Sequence, residues 1–455
     1  MTTERAAMGA MIAAPLGPLT RLGSALGASS DTGRTGRYGR GAAVLSIGIG
    51  ASGALTYAYF ALASHELSTD DYGSLVLLWS VLFVAVFTLY RPIEQLVSRT
   101  VSERAVTEAP AGPALRAAAR IQGLIVVAFV VAALLLRGPI EDGLLSGETT
   151  LYWVFLVAGP AYAVSFLTRG YLAGTGRFGL YGATLLLESV SRFLIAVLAV
   201  VGVVEGVDAI AIAIALAPLL TLAVIPAIVL RRAGAGPAAD GPTPDSDIDV
   251  MRGGHFVAAA FVIMLSEQAL LNAGVVILGA TATAAAAGLL FNVLLLARAP
   301  QVLFGAVTTS LLPSLTRHRT EGGEAGFAAF RRETATTVRS VLAGAAAIAL
   351  VVAIAGPRLM ELTFGSDHDY GRAGLLIVVA GMACHLCALT LTQASLARDR
   401  AASAAARWAG CAAAFVAWSF LPLLEDVRRI EVGYAGAAAL LVLLLLADFR
   451  AGEET

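Results

Sequence analysis

Twelve stretches of this chain run for about 20 residues with almost no charge, and no other feature restricts its fold so strongly. A helix of that length crosses a hydrocarbon layer roughly 30 Å thick. It satisfies its own backbone hydrogen bonds in a solvent that offers none. In the first half the runs cover 42–63, 73–95, 117–136, 150–167, 179–201 and 209–230. In the second they cover 256–278, 284–312, 338–355, 373–394, 404–423 and 432–449. With 58% hydrophobic and 14% charged residues among 455, and a mean hydropathy of +0.80, the chain falls outside the soluble globular range. The expected class is an all-α polytopic membrane protein of about 12 transmembrane helices.

The runs divide into a six-helix segment at 42–232 and another at 253–449. Tails at 1–41 and 450–455 flank them, and a linker at 233–252 separates them. Pro, Gly and Asp dominate that linker, so it cannot bury enough apolar surface to order itself. The apolar stretch at 6–19 is too short to span and is broken by Pro15 and Pro18; it reads as an interfacial or disordered tail rather than a removed leader.

Positive charge sets the orientation, because short cytoplasmic loops retain Lys and Arg during insertion. Every such residue here is Arg. Arg5, Arg21, Arg34, Arg37 and Arg40 precede the first run, and Arg99, Arg104, Arg116 and Arg120 follow the second. Arg169, Arg177, Arg231, Arg232, Arg252, Arg317, Arg319, Arg331, Arg332, Arg398 and Arg400 fall on the same side. The opposite loops carry His65, Glu66, Asp70, Asp71, Glu141, Asp142, Glu205 and Asp208. Both termini are therefore expected in the cytoplasm. The Arg-rich, Lys-free composition suits a GC-rich bacterial genome, which makes the bacterial cytoplasmic (inner) membrane the expected location.

Two motifs lose their usual meaning in this setting. Cys384, His385 and Cys387 share a helical face, but a closed zinc site needs further ligands that nothing nearby in sequence supplies. The thiols read as packing groups, and no disulfide framework is implied. Gly174-Thr175-Gly176-Arg177-Phe178-Gly179 matches a dinucleotide fingerprint letter for letter. That fingerprint works between a strand and a helix, whereas here it joins two membrane runs and reads as a tight turn. Nothing points to a nucleic acid, a cofactor or an enzyme active site. Asp367, His368 and Asp369 could serve an integral membrane glycosyltransferase, but the outer loops at 137–149 and 357–372 are short for catalysis, so a solvated acidic turn is the better reading.

Six plus six helices around a linker is the outline of a duplicated transporter. Val157-Ala158-Gly159 in the fourth run recurs as Val379-Ala380-Gly381 in the tenth, and Pro92 finds counterparts in Pro300 and Pro313. Three short stretches add a family resemblance. Leu67-Ser68-Thr69-Asp70-Asp71-Tyr72-Gly73 after the first run, Arg91-Pro92-Ile93-Glu94-Gln95 with Ser98-Arg99, and Leu172-Ala173-Gly174-Thr175-Gly176-Arg177-Phe178 between the fourth and fifth are the stretches concerned. They resemble polysaccharide exporters, the lipid-linked oligosaccharide flippases of the multidrug/oligosaccharidyl-lipid/polysaccharide (MOP) exporter superfamily. The resemblance implies two six-helix bundles around a central cavity that opens alternately to the two sides. It implies a polyprenyl-pyrophosphate-linked saccharide as cargo, with membrane lipids and proteins of polysaccharide polymerisation and export as further partners. The chain lacks the two additional helices typical of peptidoglycan-precursor flippases.

A charged side chain in a membrane helix costs at least ~2.5 to 3.5 kcal/mol, so those present are functional candidates. Arg298 and Glu267, with Asn272 and Asn292, are expected to face such a cavity, although Glu267 could instead serve only as the ion-pair partner of Arg298; Gln268 adjoins Glu267. Glu188 and Arg192, four apart, could line it or simply neutralise each other along one helix. Arg91 sits with Glu94 and Gln95 near the interface, where snorkelling lowers the cost of charge. Arginine suits a pyrophosphate because its planar fork donates two parallel hydrogen bonds. Glu267 and Glu188 are the candidates for ion coupling. Two other classes stay open: a cation-coupled multidrug antiporter, although the first run offers only Ser46, Ser52 and Thr56 in place of a carboxylate, and a non-transporting scaffold of a polysaccharide assembly complex.

Overall fold

The computed structural model describes residues 35–106, 112–221, 250–298, 314–319, 322–365 and 370–451, together with Gln301 and Leu311. The first half holds α1 (Thr35–Glu66), α2 (Thr69–Val106), α3 (Gly112–Leu135), the short α4 (Arg137–Glu141), α5 (Thr149–Gly174), α6 (Phe178–Val200) and α7 (Gly206–Leu220). The second holds α8 (Val250–Thr281), α9 (Ala284–Ala297), α10 (Gly323–Phe364), α11 (Arg372–Ala397), α12 (Ala401–Ser419) and α13 (Asp426–Ala451). Among the described residues nine helices are long and apolar enough to cross a membrane, and α7 and α9 are shorter apolar helices. With the 19-residue α12, every apolar run of the sequence is occupied by a helix, as in a multipass membrane protein.

Local chemistry fixes several ends. The Ser68 hydroxyl accepts from the Asp71 amide, and Asp70 and Asp71 place negative charge in the first turn of α2. Thr283 caps α9 by accepting from the Ala286 amide. The fingerprint-like stretch at 174–179 is the turn between α5 and α6; Gly176 has φ +69° there, a conformation that glycine adopts freely.

The two halves repeat one packing scheme. α1 lies on α6, α5 on α7, α6 on α7 and α3 on α5; correspondingly α8 lies on α12, α11 on α13, α12 on α13 and α10 on α11. The recurrent tripeptides occupy the equivalent helices α5 and α11 but face different neighbours. Gly159 abuts Phe129 of α3, whereas Gly381 abuts Tyr434 of α13. The repetition therefore resides in helix order more than in matched contacts.

The halves meet where α2 packs against α8 and α9, and α1 touches α10. The approach is closest at the acidic end. A Cβ on Gly73 would collide with the Ala284 carbonyl oxygen, and one on Gly279 would collide with the Leu77 side chain. Gly288 faces Tyr72 and Gly73, and the Tyr72 hydroxyl donates to Asn292 Oδ1. Side chains any larger would part the helices, so glycine is what permits this seal.

Several segments differ from the sequence expectation. α9 is described as far as Ala297, and most of the remainder of its apolar run, to 312, lies outside the described residues. α10 extends well past 338–355 on both sides and carries Pro357 inside, so the first part of the connection expected at 357–372 is helical, as far as Phe364. The connection at 137–149 contains α4, closed by an Arg137–Glu141 ion pair of 2.6 Å. α1 begins within the expected N-terminal tail and α8 within the expected linker. The apolar stretch at 6–19, most of the linker and Asp367, His368 and Asp369 lie outside the described residues.

Candidate functional site

On α2, Trp79, Phe83, Phe87 and Arg91 follow at intervals of four, which stacks them on one helical face. The Trp79 and Phe83 rings are stacked at 3.9 Å, Phe83 and Phe87 lie 5.5 Å apart, and the Arg91 guanidinium is 5.6 Å from the Phe87 centroid. At the blind end Phe60 of α1 meets Trp79 at 4.9 Å and Phe291 of α9 at 4.7 Å. Exposure increases from buried Trp79 to exposed Arg91, so the ladder leads from the sealed end to an open mouth.

Across from it, α8 presents Met264, Glu267, Gln268, Leu271 and Asn272, whose spacing of three and four again defines one face. Asn272 Nδ2 donates to Gln268 Oε1 at 3.0 Å. Arg298 follows α9 directly and donates to the Leu271 carbonyl of α8; its buried Nε has no partner among the described residues. Together these residues enclose about 350 Å³ between the halves. A larger hollow of about 470 Å³ lies beside Arg319, Phe330 and Arg398, in the second half alone. Two of the arginines around it are engaged, Arg319 with Asp399 at 2.7 Å and Arg400 with Asp448 at 2.8 Å. The interface between halves, where both contribute side chains, is the candidate site.

The structure gathers Arg298, Glu267, Asn272 and Arg91 around this cavity. Glu267 and Arg298 line it without forming an ion pair among the described residues. Asn292 is placed elsewhere: it is buried in the seal, bonded to Tyr72. Glu188 and Arg192 also turn away, into the interior of the first bundle. Glu188 accepts from Ser165 and, at 2.9 Å, from Thr221. Arg192 donates to Tyr162 at 3.0 Å and to Ser189 at 3.2 Å, and sits 5.3 Å from the Trp79 ring, behind the aromatic wall. The intrahelical Glu188–Arg192 pair does not form because each group finds better-placed partners on α5, α6 or the end of α7.

One more expectation changes. Arg169, beyond its apolar run in the sequence, is not in a loop but buried within α5, 4.1 Å above the Phe166 ring. Glu94 is held by the Tyr181 hydroxyl at 2.7 Å. His385 is fully buried and edge-on to Trp408 at 5.5 Å, in the second bundle's interior. The aromatic ladder is what sequence reasoning passed over. Its signal was the interval of four from Trp79 to Arg91, hidden because rings within an apolar run raise no electrostatic flag.

Helix order and cavity together define the class: a two-bundle helical membrane-protein fold with a cavity between the bundles. No family profile and no curated protein matches the sequence. Among solved structures it is similar to an inward-facing multidrug resistance MATE family transporter of the MOP superfamily, with a TM-score of 0.65 and 14% identity over 91% of this chain and 99% of that one. A point mutant of the Vibrio cholerae MATE transporter VcmN gives a TM-score of 0.63 and 17% identity over 91% and 97%. An outward-facing MATE structure gives 0.57 and 13% over 91% and 96%. At such identities the fold is what is shared. The solved structures concerned are multidrug transporters and not polysaccharide exporters.

Proposed function

We propose that this protein is an alternating-access membrane transporter that exports amphipathic compounds, as a multidrug exporter does. One observation carries the reading: a cavity lined by both bundles, sealed at the Tyr72–Asn292 end and open toward Arg91. A closed end and an open end across one pseudo-symmetric interface are what rocking of two bundles around a fixed site requires. The higher TM-score against the inward-facing structure than the outward-facing one supports an inward-open state. In this reading the arginine-rich end faces the cytoplasm of a bacterial inner membrane.

The two arginines favour a second reading, the flipping of a polyprenyl-pyrophosphate-linked saccharide, since they would bind a diphosphate. An outward-moving anion gains about 2.3 kcal/mol per elementary charge per 100 mV in a cell negative inside, so ion coupling is optional there. Where coupling operates, Glu267 is the carboxylate open to the cavity, and Glu188 is enclosed. Deleting the protein tests both readings. Heightened drug sensitivity, restored by the wild type, supports multidrug export. Normal tolerance with lipid-linked saccharides accumulating on the inner leaflet moves the second reading ahead. Unchanged tolerance, saccharide levels and dye efflux overturn the transporter reading.

A further inference from the structure

We infer that the cavity selects anionic cargo with a flat ring system, the rings lying along Trp79, Phe83 and Phe87 and the negative group held between Arg91 and Arg298. The inference rests on the transporter reading and narrows its substrate class.

Charge is the first argument. The described lining carries two cations, Arg91 and Arg298, and one anion, Glu267. Arg298 is anchored through its bond to the Leu271 carbonyl, while its Nε stays unpartnered among the described residues. A planar guanidinium held in place at the cavity wall is suited to a carboxylate, sulfonate or phosphate oxygen. In a site partly shielded from water, an excess of one positive charge disfavours a cationic guest, because each unbalanced interaction is stronger than it would be in solution.

Shape is the second. From Trp79 to Arg91 the ladder spans ~18 Å at 1.5 Å per residue. Trp79 and Phe83 are stacked and Phe87 is tilted against Phe83, offering faces and edges along one wall, and ring systems favour such offset contacts. The opposite wall is polar through Gln268 and Asn272, which can reach carbonyl or hydroxyl groups on the guest's other face. A volume of about 350 Å³ lies in the range of small-molecule sites.

Two dyes with the same three-ring xanthene core and opposite charge test this: anionic fluorescein and cationic rhodamine 123. Binding to the purified full-length protein is followed by quenching of tryptophan fluorescence. Fluorescein should bind at least tenfold more tightly than rhodamine 123. Arg298→Ala and Arg91→Ala should each weaken it about tenfold, and Phe83→Ala several-fold. Glu267→Gln should strengthen it, a gain that misfolding cannot mimic, and thermal unfolding of each variant checks integrity. Equal or tighter rhodamine binding, or arginine variants that bind fluorescein as the wild type does, would overturn the inference. Proteoliposome transport separates it from the broader reading. Rhodamine carried in place of fluorescein sinks the inference and leaves the transporter standing. Fluorescein bound with the expected variant pattern, but neither dye carried, upholds the site and overturns transport.

Discussion

The two bundles share one helix-pairing scheme yet present unlike faces to the cavity between them. In the first, Glu188, Arg192 and Arg169 are buried near Ser165, Tyr162, Ser189 and Thr221, and the face turned to the cavity is aromatic, with Arg91 at its mouth. In the second, Glu267, Gln268, Asn272 and Arg298 are turned outward onto the cavity. A duplicated architecture thus supplies two unlike walls. The lesson is that a charge in a membrane helix does not by itself mark a binding site. Its surroundings decide whether it holds a bundle together or meets a ligand.

The comparison can be broken most severely at the seal between the walls. Gly73→Leu inserts a side chain where the Ala284 backbone leaves no room, so α2 and α9 must separate at the acidic end. Transport should fall at least tenfold in proteoliposomes while the folded protein still elutes as a single species. Next in size, Glu188→Ala strips the first bundle of a buried acceptor and leaves Arg192 and Arg169 without that balancing charge. Thermal or denaturant unfolding should show a loss of about 3 kcal/mol, the scale for removing one partner of a buried charged network. Glu267→Gln, with a carboxylate lost from the cavity instead, should change stability by less than ~1 kcal/mol, as at sites outside a buried network. Equal destabilisation by the two would erase the distinction between the bundles.

The smallest effect belongs to the short connection before α5. The Arg137 guanidinium, then the Thr149 hydroxyl, hold the Glu141 carboxyl below the usual carboxylate range. A depressed folded value means that its contribution is present at neutral pH and is lost as pH falls through that value. Acidification below about pH 4 should loosen α4, and Glu141→Gln should abolish that pH dependence, as read by hydrogen exchange at residues 137–149.

Much of this arrangement was legible in the sequence. The apolar runs located the helices because backbone satisfaction in lipid leaves few alternatives. Arg298, Glu267, Asn272 and Arg91 could be singled out because charge and amide groups are costly in those runs. Their convergence could not, since it depends on how α2 meets α8 and α9. Glu188 and Arg192 were misplaced because spacing along one helix says nothing about a Ser or Thr waiting on another. The seal was illegible for a related reason. Gly73, Gly279 and Gly288 are common residues in an apolar chain, and only their facing partners give them meaning.

The central claim is that one cavity opens at either end in turn, and paired spin-label distances test it most directly. In a background with Cys384, Cys387 and Cys411 replaced, one pair of labels would be placed at Asp70 and Ala282 beside the seal, and another at Gln95 and Gln301 beside the mouth. As cargo and conditions are varied, the account predicts a second population in which the first distance lengthens while the second shortens. Distances that stay single-valued at both ends, or that change in the same sense, would contradict it.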